Sequence, residues 1–116
     1  MNQGESSRLL RDYIDGHNRG VRTGDFAALI ELLHPNAQMR FRGIQVGPFI
    51  GRDAIARAFR TRPPDDELTV LRMRCEDSGL AVADYARKSN PAEIAGELRI
   101  TIQSNRIIGI EVLVND

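Results

Sequence analysis

The chain has 116 residues, of which 41% are hydrophobic, and this size and composition predict one globular domain over residues 1–116. Its 16 basic and 16 acidic residues cancel, which argues against proteins that bind nucleic acid or an anionic membrane through net charge. The single cysteine, Cys75, excludes an internal disulfide, a zinc ribbon and a redox cysteine pair.

The amino-terminal third of the chain predicts two amphipathic helices. The first begins at Glu5 or Ser6 and ends near Val21, and the second begins after Asp25, where apolar residues recur at spacings of three and four. Pro35 is expected to stop the second helix. The inward stripe of the first helix is predicted to consist of Leu10, Ile14, His17 and Val21, with Tyr13 beside it.

A strand and a third helix follow. From Ala37 onwards apolar and polar residues alternate, as in a half-buried strand, with Met39 and Phe41 on the apolar side. A turn rich in glycine and proline separates this strand from a helical pattern over residues 54–59. That helix is expected to end near Arg62, because two prolines come next.

The carboxy-terminal half predicts four strands joined by short segments of turn-forming residues, so an antiparallel meander is expected. Ile107 and Leu113 are expected on the outer face of the last strand, where apolar side chains among charges indicate contact with a partner. The strands are predicted over Leu68 to Glu76, Leu80 to Lys88, Ile94 to Gln103 and Ile107 to Val114. The inward residues of the third of them are predicted to be Ile94, Leu98, Ile100 and Ile102.

Several kinds of site and segment have no motif in this sequence. The first ten residues lack a basic region followed by an apolar stretch, and no apolar run is long enough to span a bilayer, so a cytoplasmic protein without membrane contact is expected. His17 and His34 have no carboxylate at ligand spacing, and there is no glycine-rich phosphate loop. We therefore expect neither a metal nor a cofactor.

The order and spacing of these elements, with the helix start at Gly24-Asp25 and the segment from Gly47 to Ile55, resemble the nuclear transport factor 2-like superfamily. Within it, the chain is similar to the SnoaL-like and ketosteroid-isomerase-like domains. The resemblance implies an α+β fold: a cone-shaped domain in which three helices from the amino-terminal half pack on a curved, mostly antiparallel sheet around an apolar pocket. It also implies a homodimer formed through the outer surface of the sheet.

Two titratable residues are the catalytic candidates. His17 lies on the inward stripe of the first helix, and an imidazole can act as acid or base near neutral pH; the alternative is a buried histidine bonded to the backbone or to Tyr13. Asp84 shares one face of its strand with Leu80 and Val82, and burial there would raise its pKa toward the range useful for proton transfer. The opposite phase of that strand would instead place Tyr85 and Arg87 in the cavity.

The apolar wall of the cavity is predicted from the inward faces of helices and strands. A small hydrophobic molecule is the expected ligand. The residues expected to contact it are Tyr13, Ile14, Met39, Phe41, Phe49, Phe59, Met73, Tyr85, Leu98, Ile110 and Val112, with Leu10 and Ile100 also in the wall.

The resemblance also indicates which chemistry is missing. Ketosteroid isomerases use an aspartate base on the first strand, and an oxyanion hole made of a tyrosine on the first helix and a protonated aspartate on a later strand. At the corresponding positions this chain has Phe41, His17 and, at or near the third position, Leu98. The similar limonene epoxide hydrolase has an Arg-x-Asp pair where this chain has Tyr85-Ala86-Arg87.

We therefore predict a SnoaL-like protein that acts on a small, largely apolar metabolite by acid–base chemistry of the isomerase, cyclase or hydrolase type, through His17 and Asp84. The alternative is a non-catalytic module for binding a hydrophobic ligand or for dimerisation. Fold alone does not decide between them.

Overall fold

The structure is a computed structural model that describes residues 3–76 and 79–115. Three helices and six strands form an α+β domain, and the predicted helices and long strands are all present. The helices are α1 (Gln3–Thr23), α2 (Ala27–Glu31) and α3 (Arg52–Thr61). The strands are β1 (Leu33–Arg42), β2 (Phe49–Ile50), β3 (Leu68–Glu76), β4 (Leu80–Arg87), β5 (Asn90–Gln103) and β6 (Arg106–Val114).

The six strands form one curved sheet in the order β2-β1-β6-β5-β4-β3. The predicted antiparallel meander of β3 to β6 is confirmed, and β1 joins it by pairing parallel to β6. The turn between β5 and β6 contains Ser104 and Asn105, with φ values of 55° and 63°. Two consecutive left-handed residues are the geometry that suits a tight hairpin between twisted strands.

The second helix ends earlier than predicted, and Pro35 does not stop it. Helix α2 ends at Glu31, and Pro35 lies inside β1. The backbone N–H of Ile107 donates to the carbonyl oxygen of Leu32 at 2.9 Å, so β6 pairs with the chain directly after the helix. Pro35 is tolerated because the β1–β6 register is irregular between Leu33 and Gln38, and a proline has no N–H to give to a regular ladder.

Two bulges change which side chains of β5 and β6 point inward. The register shifts by one residue between Thr101 and Ile102, and this turns Ile107 into the core, where it is fully buried. Its predicted place on the outer face was wrong. A second shift, where Gly96 and Ile94 pair with consecutive residues of β4, leaves Ile94 49% exposed instead of inward.

The core lies between the inner face of the sheet and the helices. Leu10 of α1, Leu29 of α2 and Ile55 of α3 are fully buried there, packed with Ile100 and Ile107 of the sheet. Within residues 3–76 and 79–115, no helix combines the length and apolar character needed to cross a membrane. Beyond this packed region, α1 and α3 leave an open space over the inner face of the sheet.

Candidate functional site

The open space is a cavity of about 400 Å³ whose wall is largely apolar. Met39 and Phe41 enter it from β1 because alternate residues of a strand share a face. The rings of Phe41 and Phe49 meet edge to face, with centroids 6.4 Å apart. The apolar lining residues are Met39, Phe41, Ile44, Val46, Phe49, Ala58, Phe59, Pro64, Leu68, Leu98, Val112 and Val114.

His17 contributes an uncharged imidazole to this wall. It is 8% exposed, and its Nε2 atom lies 3.1 Å from the backbone carbonyl oxygen of Asp66. Because a carbonyl oxygen only accepts hydrogen bonds, Nε2 carries the proton and Nδ1 holds the lone pair. Burial lowers the pKa of His17, although the bond to Asp66 and the negative charges of Glu67 and Asp66 oppose that effect.

The Nδ1 atom of His17 is not engaged by the protein, although His17 lines the cavity. No side-chain or backbone group in the described part of the chain donates a hydrogen bond to it. Among the described side chains, every nitrogen or oxygen atom that is sealed from solvent has a hydrogen-bond partner. Nδ1 has no such partner, so it is not sealed from solvent. A neutral imidazole with a free lone pair is a general base at neutral pH.

Two tyrosines bring hydroxyl groups to the same cavity. Tyr13 lies one helical turn before His17, so both side chains share a face of α1, and Tyr85 faces them from β4. Burial raises the pKa of both phenols; the Tyr85 phenol raises that of Tyr13 further, while Arg87 partly offsets the effect at Tyr85. Both hydroxyls therefore stay protonated and can donate hydrogen bonds.

Of the two hydroxyls, only that of Tyr85 is hydrogen-bonded to the described part of the protein. The Tyr85 hydroxyl donates to the backbone carbonyl oxygen of Leu113 at 3.4 Å, a long bond. For Tyr13, no hydrogen-bond partner exists among residues 3–76 and 79–115. Because no unpartnered side-chain oxygen is sealed from solvent, the Tyr13 hydroxyl is accessible. It is therefore available to donate a hydrogen bond to a ligand.

Charged residues are confined to the rim of the cavity. Arg62, Asp65 and Asp66 come from the segment after α3, and Arg87 from the end of β4. The hydroxyl of Ser89 donates to the carboxylate of Asp66, and this bond is the main reason that the pKa of Asp66 is lowered. Asp66 is thus an ionised, internally bonded group and a weak base.

Asp84 is outside the cavity, which contradicts its predicted pairing with His17. Tyr85 lines the cavity, so its neighbour Asp84 projects from the opposite face of β4, between Arg72 and Glu97 of the adjacent strands. The phase was misjudged because Ala81 and Ala83 are less apolar than Leu80 and Val82. Their small side chains face inward, where α1 packs against β4.

The other predicted contact residues divide into two groups. Those of the first group line the cavity, namely Tyr13, Met39, Phe41, Phe49, Phe59, Tyr85, Leu98 and Val112. The second group packs in or against the core instead, because α1 fills the space over that part of the sheet; it consists of Leu10, Ile14, Met73, Ile100 and Ile110.

Sequence reasoning missed the lining residues in irregular segments. Ile44 and Val46 precede β2, and Arg62, Asp65 and Asp66 follow α3. Irregular backbone has no periodicity that would indicate a facing direction, and only the two prolines after Arg62 marked the segment. No three His, Cys, Asp or Glu side chains gather into a metal site anywhere in the described ranges.

A comparison with protein families matches the SnoaL-like domain over residues 10–106. No curated protein matches the sequence. Among solved structures, a protein of unknown function with a cystatin-like fold from Methylobium petroleophilum PM1 is similar with a TM-score of 0.77 and 22% identity; the match covers 100% of this chain and 79% of that one.

Two further similar structures have provisional functional names. One is provisionally named a ketosteroid isomerase, from Kribbella flavida DSM 17836, with a TM-score of 0.74, 16% identity and coverage of 98% of this chain and 80% of that one. The other is provisionally named a polyketide cyclase, from Xanthomonas campestris pv. campestris, with a TM-score of 0.71, 20% identity and coverage of 99% and 93%. At such identities the likeness establishes the fold alone.

Proposed function

The chain belongs to the SnoaL-like domain family, and from this premise we propose that it converts a small, largely apolar metabolite by acid–base chemistry inside the cavity. One observation carries the proposal: the buried imidazole of His17, uncharged and with a free Nδ1, stands in an apolar cavity of about 400 Å³. Sites for small molecules are typically apolar clefts of this size with a few convergent polar groups.

The arrangement suits removal of a proton from a carbon next to a carbonyl group. His17 Nδ1 takes the proton, the C–H electron pair moves into an enolate, and the Tyr13 hydroxyl donates a hydrogen bond to the enolate oxygen. When a carbon–carbon double bond lies next to the deprotonated carbon, the enolate is a dienolate, and the imidazolium returns the proton to its γ-carbon, so that the double bond moves into conjugation and the isomerisation is complete. Burial disfavours the charged imidazole, so return of the proton is downhill for His17.

A non-catalytic role in binding a hydrophobic ligand is the second candidate. Phe41 lines the cavity where a catalytic carboxylate is found in ketosteroid isomerases, and Asp84 points away from the cavity. Of the described lining residues, only Asp65 and Asp66 have carboxylates, and both lie at the rim. The two candidates differ in whether a bound ligand exchanges protons with His17.

Hydrogen exchange in heavy water tests the proposal. The protein is incubated with apolar ketones such as β-tetralone and cyclohexanone, and mass spectrometry follows uptake of deuterium next to the carbonyl group. We expect uptake above the buffer rate, and its loss in His17→Gln. The matched control is His34→Gln, because His34 lies outside the cavity on β1, where its Nδ1 accepts from the N–H of Asn36. If the ketones bind but take up no deuterium above the buffer rate, the acid–base proposal is wrong and the non-catalytic binding role is the one supported.

We further propose that the partner is a second copy of the chain, paired through the outer face of the sheet. This face has acidic and basic side chains in contact, including Arg99–Glu97 at 2.7 Å and Arg42–Glu111 at 2.9 Å, with Leu113 partly exposed among them. A surface that carries both charge signs can be complementary to itself about a twofold axis.

A further inference from the structure

The rim of the cavity has two arginines whose charged ends are not committed to the protein. Arg62 and Arg87 both line the cavity, yet in the described part of the chain neither guanidinium forms a hydrogen bond or a salt bridge. Other arginines do have such partners: Arg22 lies 2.6 Å from Glu67, and Arg99 lies 2.7 Å from Glu97.

The backbone explains why both side chains reach the same rim. Arg87 follows Tyr85 by two residues on β4, so it leaves the strand on the cavity side. Arg62 is the cap residue directly after α3, and its backbone N–H donates to the carbonyl oxygen of Ala58 before the chain turns into two prolines. The end of a strand and the end of a helix thus bring two cations to one opening.

The carboxylates of Asp65 and Asp66 at the rim form no ion pair with Arg62 or Arg87, unlike the carboxylates that pair with Arg22 and Arg99. Asp66 accepts hydrogen bonds from the hydroxyl and the backbone N–H of Ser89 and from the backbone N–H of Glu67. The charge of Arg87 acts on Asp66 only weakly, and no ion pair forms between them within 4 Å. Asp65 is exposed at the rim, so its negative charge opposes an anion there, and solvent screens this repulsion.

We propose that the ligand of this cavity is a small amphipathic carboxylic acid. Its apolar body lies against the aromatic and aliphatic wall, and its carboxylate is bound at the rim by Arg62 and Arg87. A guanidinium presents its N–H groups in a planar fork that matches a carboxylate, and such charge-assisted bonds are stronger than neutral ones. The inference rests on the proposed function only in taking this cavity as the ligand site.

Three probes with the same apolar chain and different head groups test the inference: octanoic acid, octanol and octylamine. Titration calorimetry on the wild-type chain should show that the acid binds roughly tenfold more tightly than the alcohol, and that the amine binds most weakly. Arg62→Met and Arg87→Met should each reduce the preference for the acid, and the double variant should abolish it. The affinity for octanol should stay the same.

The matched control is Arg60→Met, which removes the same charge from the last turn of α3, just before Arg62. Arg60 is exposed on α3 and does not line the cavity, so the preference for the acid should persist. Equal binding of acid and alcohol by the wild type would overturn the inference. So would tighter binding of the amine, or a preference that survives in the double variant.

The outcomes separate this inference from the proposed function. Deuterium exchange into a ketone without any preference for the acid contradicts the inference and leaves the acid–base function standing. A preference for the acid that depends on the two arginines, without exchange, supports the inference and contradicts the acid–base function. If none of the three probes binds, the inference is wrong, and the exchange experiment alone decides the acid–base function.

Discussion

The Nε2 atom of His17 lies 3.1 Å from the backbone carbonyl oxygen of Asp66, a residue 49 positions further along the chain. This contact joins α1 to the segment before β3 and fixes which ring nitrogen holds the proton. Nδ1 is therefore the nitrogen without a proton. A backbone carbonyl group, and not a carboxylate, determines this tautomer. The acid–base proposal depends on this arrangement.

The pKa of His17 should lie below the ordinary histidine value, because burial outweighs the attraction of Glu67 and Asp66. In the pH range between the two pKa values, the unfolded chain binds a proton that the folded chain does not, so stability falls as the pH falls. NMR titration of the imidazole measures the pKa. Urea unfolding at about pH 8 and about pH 5 should show a smaller loss of stability in His17→Gln than in the wild type. An equal loss in both would contradict the assignment.

The chain should have little or no Δ5-3-ketosteroid isomerase activity. Phe41 lines the cavity, and the resemblance to ketosteroid isomerases puts it at the position of their base; loss of general-base catalysis removes roughly two to four orders of magnitude in rate. Leu98, at or near the position of the oxyanion acid, also lines the cavity and cannot donate a hydrogen bond. An ultraviolet conjugation assay measures the rate. Turnover at the rate of ordinary enzymes would show that the assignment of positions is wrong.

Asn18→Ala should destabilise the fold by about 1–3 kcal/mol, because it leaves two partly buried backbone groups without partners. The Asn18 amide donates to the carbonyl oxygen of Leu68 at 2.9 Å and accepts from the N–H of Leu68 at 2.7 Å. Chemical unfolding measures the change. Asn36→Ala is the control: Asn36 is exposed on β1, so its substitution should change stability little. Equal effects of the two substitutions would contradict the prediction.

Gly96→Ala should destabilise the domain and disturb the Tyr85 hydroxyl. A methyl group at Gly96 would stand 1.9 Å from the backbone oxygen of Leu113 and 2.7 Å from the hydroxyl oxygen of Tyr85. Overpacking of this kind costs about 1–3 kcal/mol. Thermal unfolding compares it with Gly109→Ala, in which the nearest atom, on Thr101, is 3.4 Å away. The comparison fails if Gly109→Ala is as destabilising as Gly96→Ala.

Light scattering at micromolar concentration should give twice the chain mass of 13.0 kDa. The pairing surface proposed here is the outer face of the sheet, so Leu113→Lys should shift the population toward the monomer. The control Ala28→Lys, exposed on α2 away from the sheet, should leave the mass unchanged. A monomer mass for the wild-type chain would rule out the pairing.

Much of the fold was determined by the sequence, because hydrophobic periodicity reports which residues share a face of a helix or strand. The alternation from Ala37 correctly placed Met39 and Phe41 on the inner side of β1, and short turn-rich connections correctly predicted the antiparallel meander. The same periodicity correctly placed His17 on the buried stripe of α1.

The sequence did not determine where regular alternation is interrupted or which of two faces meets the helices. The outward turn of Ile94 and the burial of Ile107 follow from bulges, which depend on how neighbouring strands pair. The phase of β4 depends on α1, since the close approach of the helix favours alanines over larger aliphatics. Apolar character alone therefore favoured the wrong face and placed Asp84 inward.

Only the tertiary structure decided which groups converge on the cavity. Arg62 and Arg87 are 25 positions apart in the sequence and line one cavity because the segment after α3 and the end of β4 reach the same rim. Tyr13 and Tyr85 line the same cavity for the same reason. Local periodicity determines which residues share a face of one element, whereas the assembly of elements determines which faces lie opposite each other. The chemistry of the cavity follows from the way in which the helices and strands are assembled.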